Sequence, residues 1–208
     1  MPSRFEYGSF ANYSPRGTAG ISNTSRSICA KIKRGSAQIV ETAVVILGSD
    51  RAAPLKPFLN PQVTLVPAPR SAPLTEGGVW PSMVIADVLA SNGFGKDVRL
   101  LLARTNAVRK SSTSSAENRP GILEHMGSIE VAADLLPPEE ITVVDDVITR
   151  GATLVACANL LQQAYPTSKI RTFAMMRTQS RVPDIEVLVE PSTGILWGYD
   201  SGKPYRDP

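Results

Sequence analysis

The chain has little of what holds small scaffolds together or binds metals. Its 208 residues include two cysteines, Cys29 and Cys157, and one histidine, His125. Thiols so far apart in sequence form neither a disulfide framework nor a zinc-ligand spacing. Cys157 falls in a segment of helical periodicity, so a buried free thiol is expected there. A lone histidine with no ligand cluster around it is seldom a metal site, and His125 receives no role. Aromatic residues make up 6%, and the net charge is only +3, from 22 basic and 19 acidic residues. Stacking combined with strong positive charge, the mark of a single-strand nucleic-acid binder, is therefore thin. No apolar run approaches the length of a membrane span, and the N-terminus lacks a signal-peptide core. A cytoplasmic protein without a membrane partner is expected. No internal repeat is visible. The length and the 42% apolar fraction suit one α/β domain with appendages.

The most informative stretch runs from Ile141 to Thr153, I-T-V-V-D-D-V-I-T-R-G-A-T. Val143 and Val144 suit a strand buried on both faces of a parallel sheet. Asp145 and Asp146 follow at its carboxyl end, where ligands bind in open α/β sheets. Gly151 lets the backbone approach a ligand closely. Residues 152–164 then repeat apolar side chains at helical spacing, in Leu154, Val155, Ala158 and Leu161. A strand ending in acid, followed by bare amides at a helix start, can hold a phosphorylated sugar. The carboxylates can accept hydrogen bonds from ribose hydroxyls or face a hydrated magnesium ion.

V-V-D-D-V-I-T-R-G-A-T resembles the signature of the type I phosphoribosyltransferases, which bind 5-phosphoribosyl-1-pyrophosphate (PRPP). The resemblance implies a Rossmann-like parallel sheet flanked by helices, with a small hood built from the termini. It implies that Asp145 and Asp146 meet the ribose hydroxyls and a magnesium ion, directly or through water or PRPP. Thr149, Arg150, Gly151, Ala152 and Thr153 would cradle the 5′-phosphate. Arg150 departs from the small residue common in the family; it either adds a charged contact to phosphate or points to solvent.

Elsewhere the chain reads as follows. Residues 1–20 are polar and rich in Gly, Ser, Tyr and Pro, so an irregular start is expected. Asn23 to Lys33 reads as a short helix ending at Gly35. Gln38 to Leu47 is a strand-like or short helical apolar run, and its V-V-I-L-G-S-D ending favours a strand. Gln62 to Val66 is a clear strand, and V-P-A-P-R-S-A-P after it fixes a stiff loop. By resemblance, Pro69, Arg70, Ser71 and Ala72 hold pyrophosphate there, in a loop often built around a strained or non-trans peptide. Val79 to Ala90 is an amphipathic helix in which Trp80 packs, and Val98 to Ala103 is a third strand. Arg104 to Met126 shows almost no apolar periodicity. The family carries a closing loop here, to which Arg104 brings positive charge and in which Arg109 and Lys110 take the catalytic role of meeting the leaving pyrophosphate; Arg119 stands equally well as a solvated cation. Lys169 to Met176 and Ile185 to Val189 are further strands. Trp197 and Tyr199 read as edge-strand packing or a base-stacking platform.

The order V-P-A-P, L-A-R-T, S-S-A-E-N-R-P and V-V-D-D-V-I-T-R-G-A-T is similar to the ComF-like branch of the family over roughly residues 60–178. The branch's usual loop glutamine and zinc ribbon are not evident. The expected division is an extension over 1–36, a core over 37–178 and a hood or edge segment over 179–208. Two functions follow. One is an enzyme that transfers phosphoribosyl from magnesium–PRPP to an acceptor and releases pyrophosphate. The other is a non-catalytic PRPP or nucleotide sensor regulating a protein or nucleic-acid partner in DNA uptake or defence. Dimers are common in the family, so a homodimer is among the expected states.

Overall fold

The computed structural model describes residues 2–109, 120–132, 134–199 and 201–207. In chain order the elements are β1 (Ser3–Tyr13), α1 (Gly20–Lys33), α2 (Ala37–Leu47), a 3-10 turn (Asp50–Leu55), β2 (Thr64–Pro67), α3 (Pro81–Ser91), β3 (Asp97–Val98), β4 (Leu102–Arg104), α4 (Ile122–Met126), β5 (Ile129–Val131), β6 (Glu140–Ile148), α5 (Ala152–Ala164), β7 (Lys169–Thr178), β8 (Val189–Gly198) and β9 (Pro204–Asp207). The main sheet has seven strands in the order β3-β2-β6-β7-β1-β8-β9. The first five run parallel, and β8 and β9 close one edge antiparallel. The fold is α/β, a mostly parallel sheet with helices on both faces.

Alternation along the central strands creates two cores. Val143 joins Ile141, Tyr7 and Ala174 against Leu154 and Leu161 of α5. Its neighbour Val144 joins Phe173, Phe10 and Leu65 against Val40 of α2 and Ile85 of α3. Adjacent residues of one strand point to opposite faces, so a strand covered on both sides must be apolar at every position. That is why β6 could be recognised from its residues alone.

Three segments depart from the sequence expectation. Residues 3–13 form a long strand between β7 and β8, not an irregular start. Phe5, Tyr7 and Phe10 supply its buried aromatics, while Gly8 leaves room for the 3-10 turn: a Cβ there would lie 2.9 Å from Leu55 Cδ2. The V-V-I-L run is helical, because Val40, Ala43 and Leu47 are buried at helical spacing and packing outweighs β propensity. The expected third strand splits. Only Asp97 and Val98 join the main sheet, and Arg99 then pairs with Asp97 at 2.9 Å and Asp134 at 2.7 Å. Leu102–Arg104 turns away to form a separate antiparallel pair with β5.

Within 104–126, β4 reaches Arg104 and α4 begins at Ile122, regular structure that the segment's polarity does not announce. Residues 185–188 stay outside the ladder because Ser22 Oγ accepts from the Ile185 amide at 3.3 Å and Asn12 Nδ2 donates to the Val187 carbonyl at 2.9 Å. Both cysteines are buried free thiols, as expected for Cys157. No helix among the described residues is long and apolar enough to cross a membrane.

Phe173 sits fully buried where β6, β7 and the α2–α3 layer meet. Phe173→Ala should cost about 3–5 kcal/mol of unfolding free energy. Urea denaturation measures this directly, and a loss below about 1 kcal/mol would contradict the packing described.

Candidate functional site

β2 leads through α3 to β3 on one side, while β6 leads through α5 to β7 on the other. Helices α3 and α5 lie on opposite faces, so the chain diverges between β2 and β6. Such a divergence opens a crevice at the carboxyl ends of the strands. The Ala68 amide donates to the Val144 carbonyl at 2.8 Å, which carries the β2–β6 pairing up to the crevice. Pro69 is buried and Arg70, Ser71 and Ala72 are partly buried just beyond β2. Asp145 and Asp146 lie in the last residues of β6. The two segments therefore stand side by side on neighbouring strands, about 5 Å apart. No cis peptide occurs among the described residues, so the 69–72 loop reaches this place with trans bonds.

The two acids are held differently. Asp145 Oδ1 accepts from Ser82 Oγ at 3.3 Å and from the Asp146 amide at 2.8 Å. Burial, and next the charge of Asp146, push the Asp145 pKa well above the ordinary carboxylate value. Asp146 Oδ2 pairs with Lys33 Nζ at 2.9 Å, and its Oδ1 accepts from the Val147 amide at 2.8 Å. Burial opposes the charge on Lys33, but the Asp146 carboxylate outweighs it and the lysine pKa rises. One cation thus pairs directly with one acid and lies near a second whose pKa is raised.

Beyond β6 the backbone turns through Gly151 at φ 89°, a left-handed conformation suited to glycine. A Cβ on Gly151 would also lie 2.8 Å from Leu196 Cδ2. The first helical bond runs from the Val155 amide to the Gly151 carbonyl at 2.9 Å. The amides of Ala152, Thr153 and Leu154 precede it and are the donors that a helix start offers to an anion. Thr149, Ala152 and Thr153 are partly buried around them, and Arg150 is exposed. Thr153 Oγ1 lies 3.4 Å from His125 Nε2.

Arg70 carries a buried guanidinium nitrogen, Nη1, without a hydrogen-bond partner. Gly78 admits it, since a Cβ there would lie 2.6 Å from that nitrogen. Arg104 is buried rather than open to the crevice. Its Nε donates to the Arg70 carbonyl at 2.8 Å and its Nη1 to Ser128 Oγ at 2.5 Å. The Val108 amide donates to the Ser71 carbonyl at 2.7 Å, and Arg109 next to it is exposed. Lys110 and Arg119 lie outside the described residues. Trp80 packs as expected, its Nε1 donating to the Ala68 carbonyl at 2.8 Å. Trp197 packs within the sheet, with the Arg4 guanidinium 5.7 Å from its ring centre, and Tyr199 is exposed.

Lys33, Ser82, His125 and Ser128 were not singled out for the site by sequence. Lys33 showed only as a helix-ending cation, and no spacing rule links it to an acid 113 residues later. Among the described residues no group of three or more His, Cys, Asp or Glu side chains could hold a metal ion. Two oxygen-donor carboxylates at a strand end are of the kind that fits a hard cation such as magnesium.

No family model and no curated protein matches this chain. Solved structures similar to it include a hypoxanthine phosphoribosyltransferase from Staphylococcus aureus, 14% identical with a TM-score of 0.34, covering 78% of this chain and 70% of that one. Another is a hypoxanthine phosphoribosyltransferase from Trypanosoma cruzi, 15% identical with a TM-score of 0.31, covering 83% and 78%. A third is adenine phosphoribosyltransferase from Leishmania tarentolae, 13% identical with a TM-score of 0.36, covering 81% and 83%. At TM-scores this low the correspondence of individual residues is not defined.

Gly151→Ala should destabilise the chain by about 2 kcal/mol, through left-handed strain and overlap with Leu196. Chemical denaturation reads this, and an unchanged midpoint would contradict the turn. Asp145 behaves oppositely. Because folding raises its pKa, its stabilising contribution is complete below the ordinary aspartate pKa of about 3.9 and is lost as pH rises through the raised folded value. Asp145→Asn should therefore melt higher than the wild type at pH 7, with the gap shrinking towards pH 4. A lower melting temperature at pH 7 would refute the buried-acid description.

Proposed function

We propose that the chain binds PRPP with magnesium in the crevice between β2 and β6 and transfers its phosphoribosyl group to a nitrogen acceptor. One juxtaposition carries this reading. A pair of acids lies near the end of β6, a glycine-opened helix start follows it, and the adjacent loop after β2 carries the buried, unpartnered Arg70 nitrogen. Acids for hydroxyls, amides for one phosphate and a guanidinium for a second anion match the three parts of PRPP.

In this reading Asp145 and Asp146 accept hydrogen bonds from the ribose hydroxyls, and Lys33 limits the negative charge between them. Ala152, Thr153 and Leu154 offer amides to the 5′-phosphate, with Thr149 and Arg150 at its rim. Arg70, with the Ser71 and Ala72 backbone, takes the pyrophosphate, and buried Pro69 stiffens that turn. Arg104 sits beneath and holds the Arg70 carbonyl. Arg109, exposed in the segment that follows, would bring its charge to the leaving group, the role that the resemblance gives also to Lys110. Asp145 and Asp146 are the residues that would hold magnesium, which would supply positive charge to offset that on pyrophosphate. The acceptor nitrogen forms a bond to C1 as the C1–oxygen bond breaks and pyrophosphate departs with its electron pair. Positioning and charge stabilisation suffice for such a step, so no side-chain nucleophile is needed.

Beside the carboxyl ends of the strands, the 14–19 loop that leads into α1 and the 180–188 segment tie to each other. Ser14 Oγ donates to the Pro183 carbonyl at 2.8 Å, and the Ala19 amide donates to Asp184 Oδ1 at 2.8 Å. We assign acceptor recognition to this paired segment, the hood expected from both ends of the chain.

Calorimetry with magnesium–PRPP should give micromolar to millimolar binding by the wild type, and loss of at least about tenfold in affinity for the Asp145→Asn, Asp146→Asn double variant. Equal affinity in the two proteins would sink the assignment. Pyrophosphate release with purine or pyrimidine bases marks the transferase. Binding without release marks a sensor.

A further inference from the structure

Three buried side chains join the two anion-binding loops of the crevice from behind. His125, in α4, is 3% exposed, and Arg104 is 7% exposed. Arg104 Nη2 lies 3.3 Å from His125 Nδ1, and His125 Nε2 lies 3.4 Å from Thr153 Oγ1. At the other end Arg104 Nε donates to the Arg70 carbonyl at 2.8 Å. Ser128 clamps the middle: its Oγ accepts from Arg104 Nη1 at 2.5 Å, and its one proton is shared between the Glu124 and His125 carbonyls, each at 2.9 Å. The chain thus runs from the loop after β2 to the second residue of α5 without leaving the protein interior.

Chemistry fixes the direction of every bond in it. A guanidinium only donates, so His125 Nδ1 must accept and cannot carry a proton. The neutral ring then carries its proton on Nε2, which points to Thr153. Burial first, and then the Arg104 charge, push the His125 pKa down to about 4, so the ring is neutral across the physiological range. A Thr153 oxygen that already accepts from Nε2 turns its own proton outward, beside the amides that open α5.

We propose that His125 is a positioning residue that orients the Thr153 hydroxyl as a donor to a phosphate and locks the phosphate loop to the Arg70 loop. The proposal rests on the PRPP reading for the identity of the phosphate, while the ring tautomer and the Thr153 contact stand apart from it. A change in either anion loop has a rigid path to the other through Arg104 and His125. His125 itself touches no substrate.

The test uses the full chain with His125→Gln, His125→Asn and Thr153→Val. Gln places an amide N–H close to the position of ring Nε2, whereas Asn is too short to reach Thr153. Nitrogen-15 NMR of the wild type at pH 7 should show a neutral ring protonated on Nε2, and Thr153→Val should shift that signal. In calorimetry with magnesium–PRPP, His125→Gln should stay within about threefold of the wild type and His125→Asn should bind about tenfold more weakly. Thr153→Val should match His125→Asn, and combining the two should add little. A ring protonated on Nδ1 or charged at pH 7 overturns the proposal. So do equal affinities for the Gln and Asn variants, or affinities that merely follow melting temperature. If the wild type fails to bind PRPP while the ring shows the expected tautomer and Thr153 response, the ligand assignment fails and the phosphate role goes with it, but the bond chain stands.

Discussion

The parallel pairing of β6 between β2 and β7 is the constraint on which the rest of the molecule depends. Two registers meet there: Val143 faces Val66 on one side and Thr172 on the other, and Val144 faces Pro67 and Phe173. A strand in that position is covered on both faces, here by α3, which follows β2, and by α5, which follows β6 itself. The crevice is the direct result. Displacing β6 by one residue would exchange the two cores and turn Asp145 and Asp146 to each other's faces. The acids therefore owe their orientation to the hydrophobic register beneath them.

Electrostatics at the carboxyl edge follow from the same placement. Two adjacent carboxylates at the end of a buried strand cannot both be comfortable, and the structure splits them. Asp146 takes the lysine from α1, and Asp145 is left with a hydroxyl, a backbone amide and a raised pKa. A group held this way costs stability at neutral pH and is ready to accept hydrogen bonds from a ligand. The buried Arg70 nitrogen shows the same pattern with opposite charge. The partnered acids and the one unpartnered cationic nitrogen thus stand on the segments that follow neighbouring strands.

His125 shows how a residue without sequence signal becomes central. Alone in the chain, with no partner near it in sequence, it had no chemistry to assign. In the fold it bridges Arg104 and Thr153, which lie 49 residues apart in the chain. Arg104 shows the reverse. Its position in a polar, cationic segment suggested a surface charge for a leaving group, yet it is buried and spends its guanidinium on protein acceptors.

Local pattern alone determined β6, α5, the proline-stiffened loop after β2 and the acids between them, because a doubly covered strand and an amphipathic helix leave periodicities that no partner can mask. It also marked Gly151, where the turn needs a left-handed residue. Tertiary structure decided the remainder. β1 was invisible because its Gly, Ser and Asn positions are buried by neighbours that the sequence does not announce. α2 was read as a strand because propensity favours Val and Ile in sheets, and only its packing against α3 and the 3-10 turn makes it helical. Lys33, Ser82 and His125 reach the crevice across long sequence separations, and such contacts are set by topology, which no local spacing records.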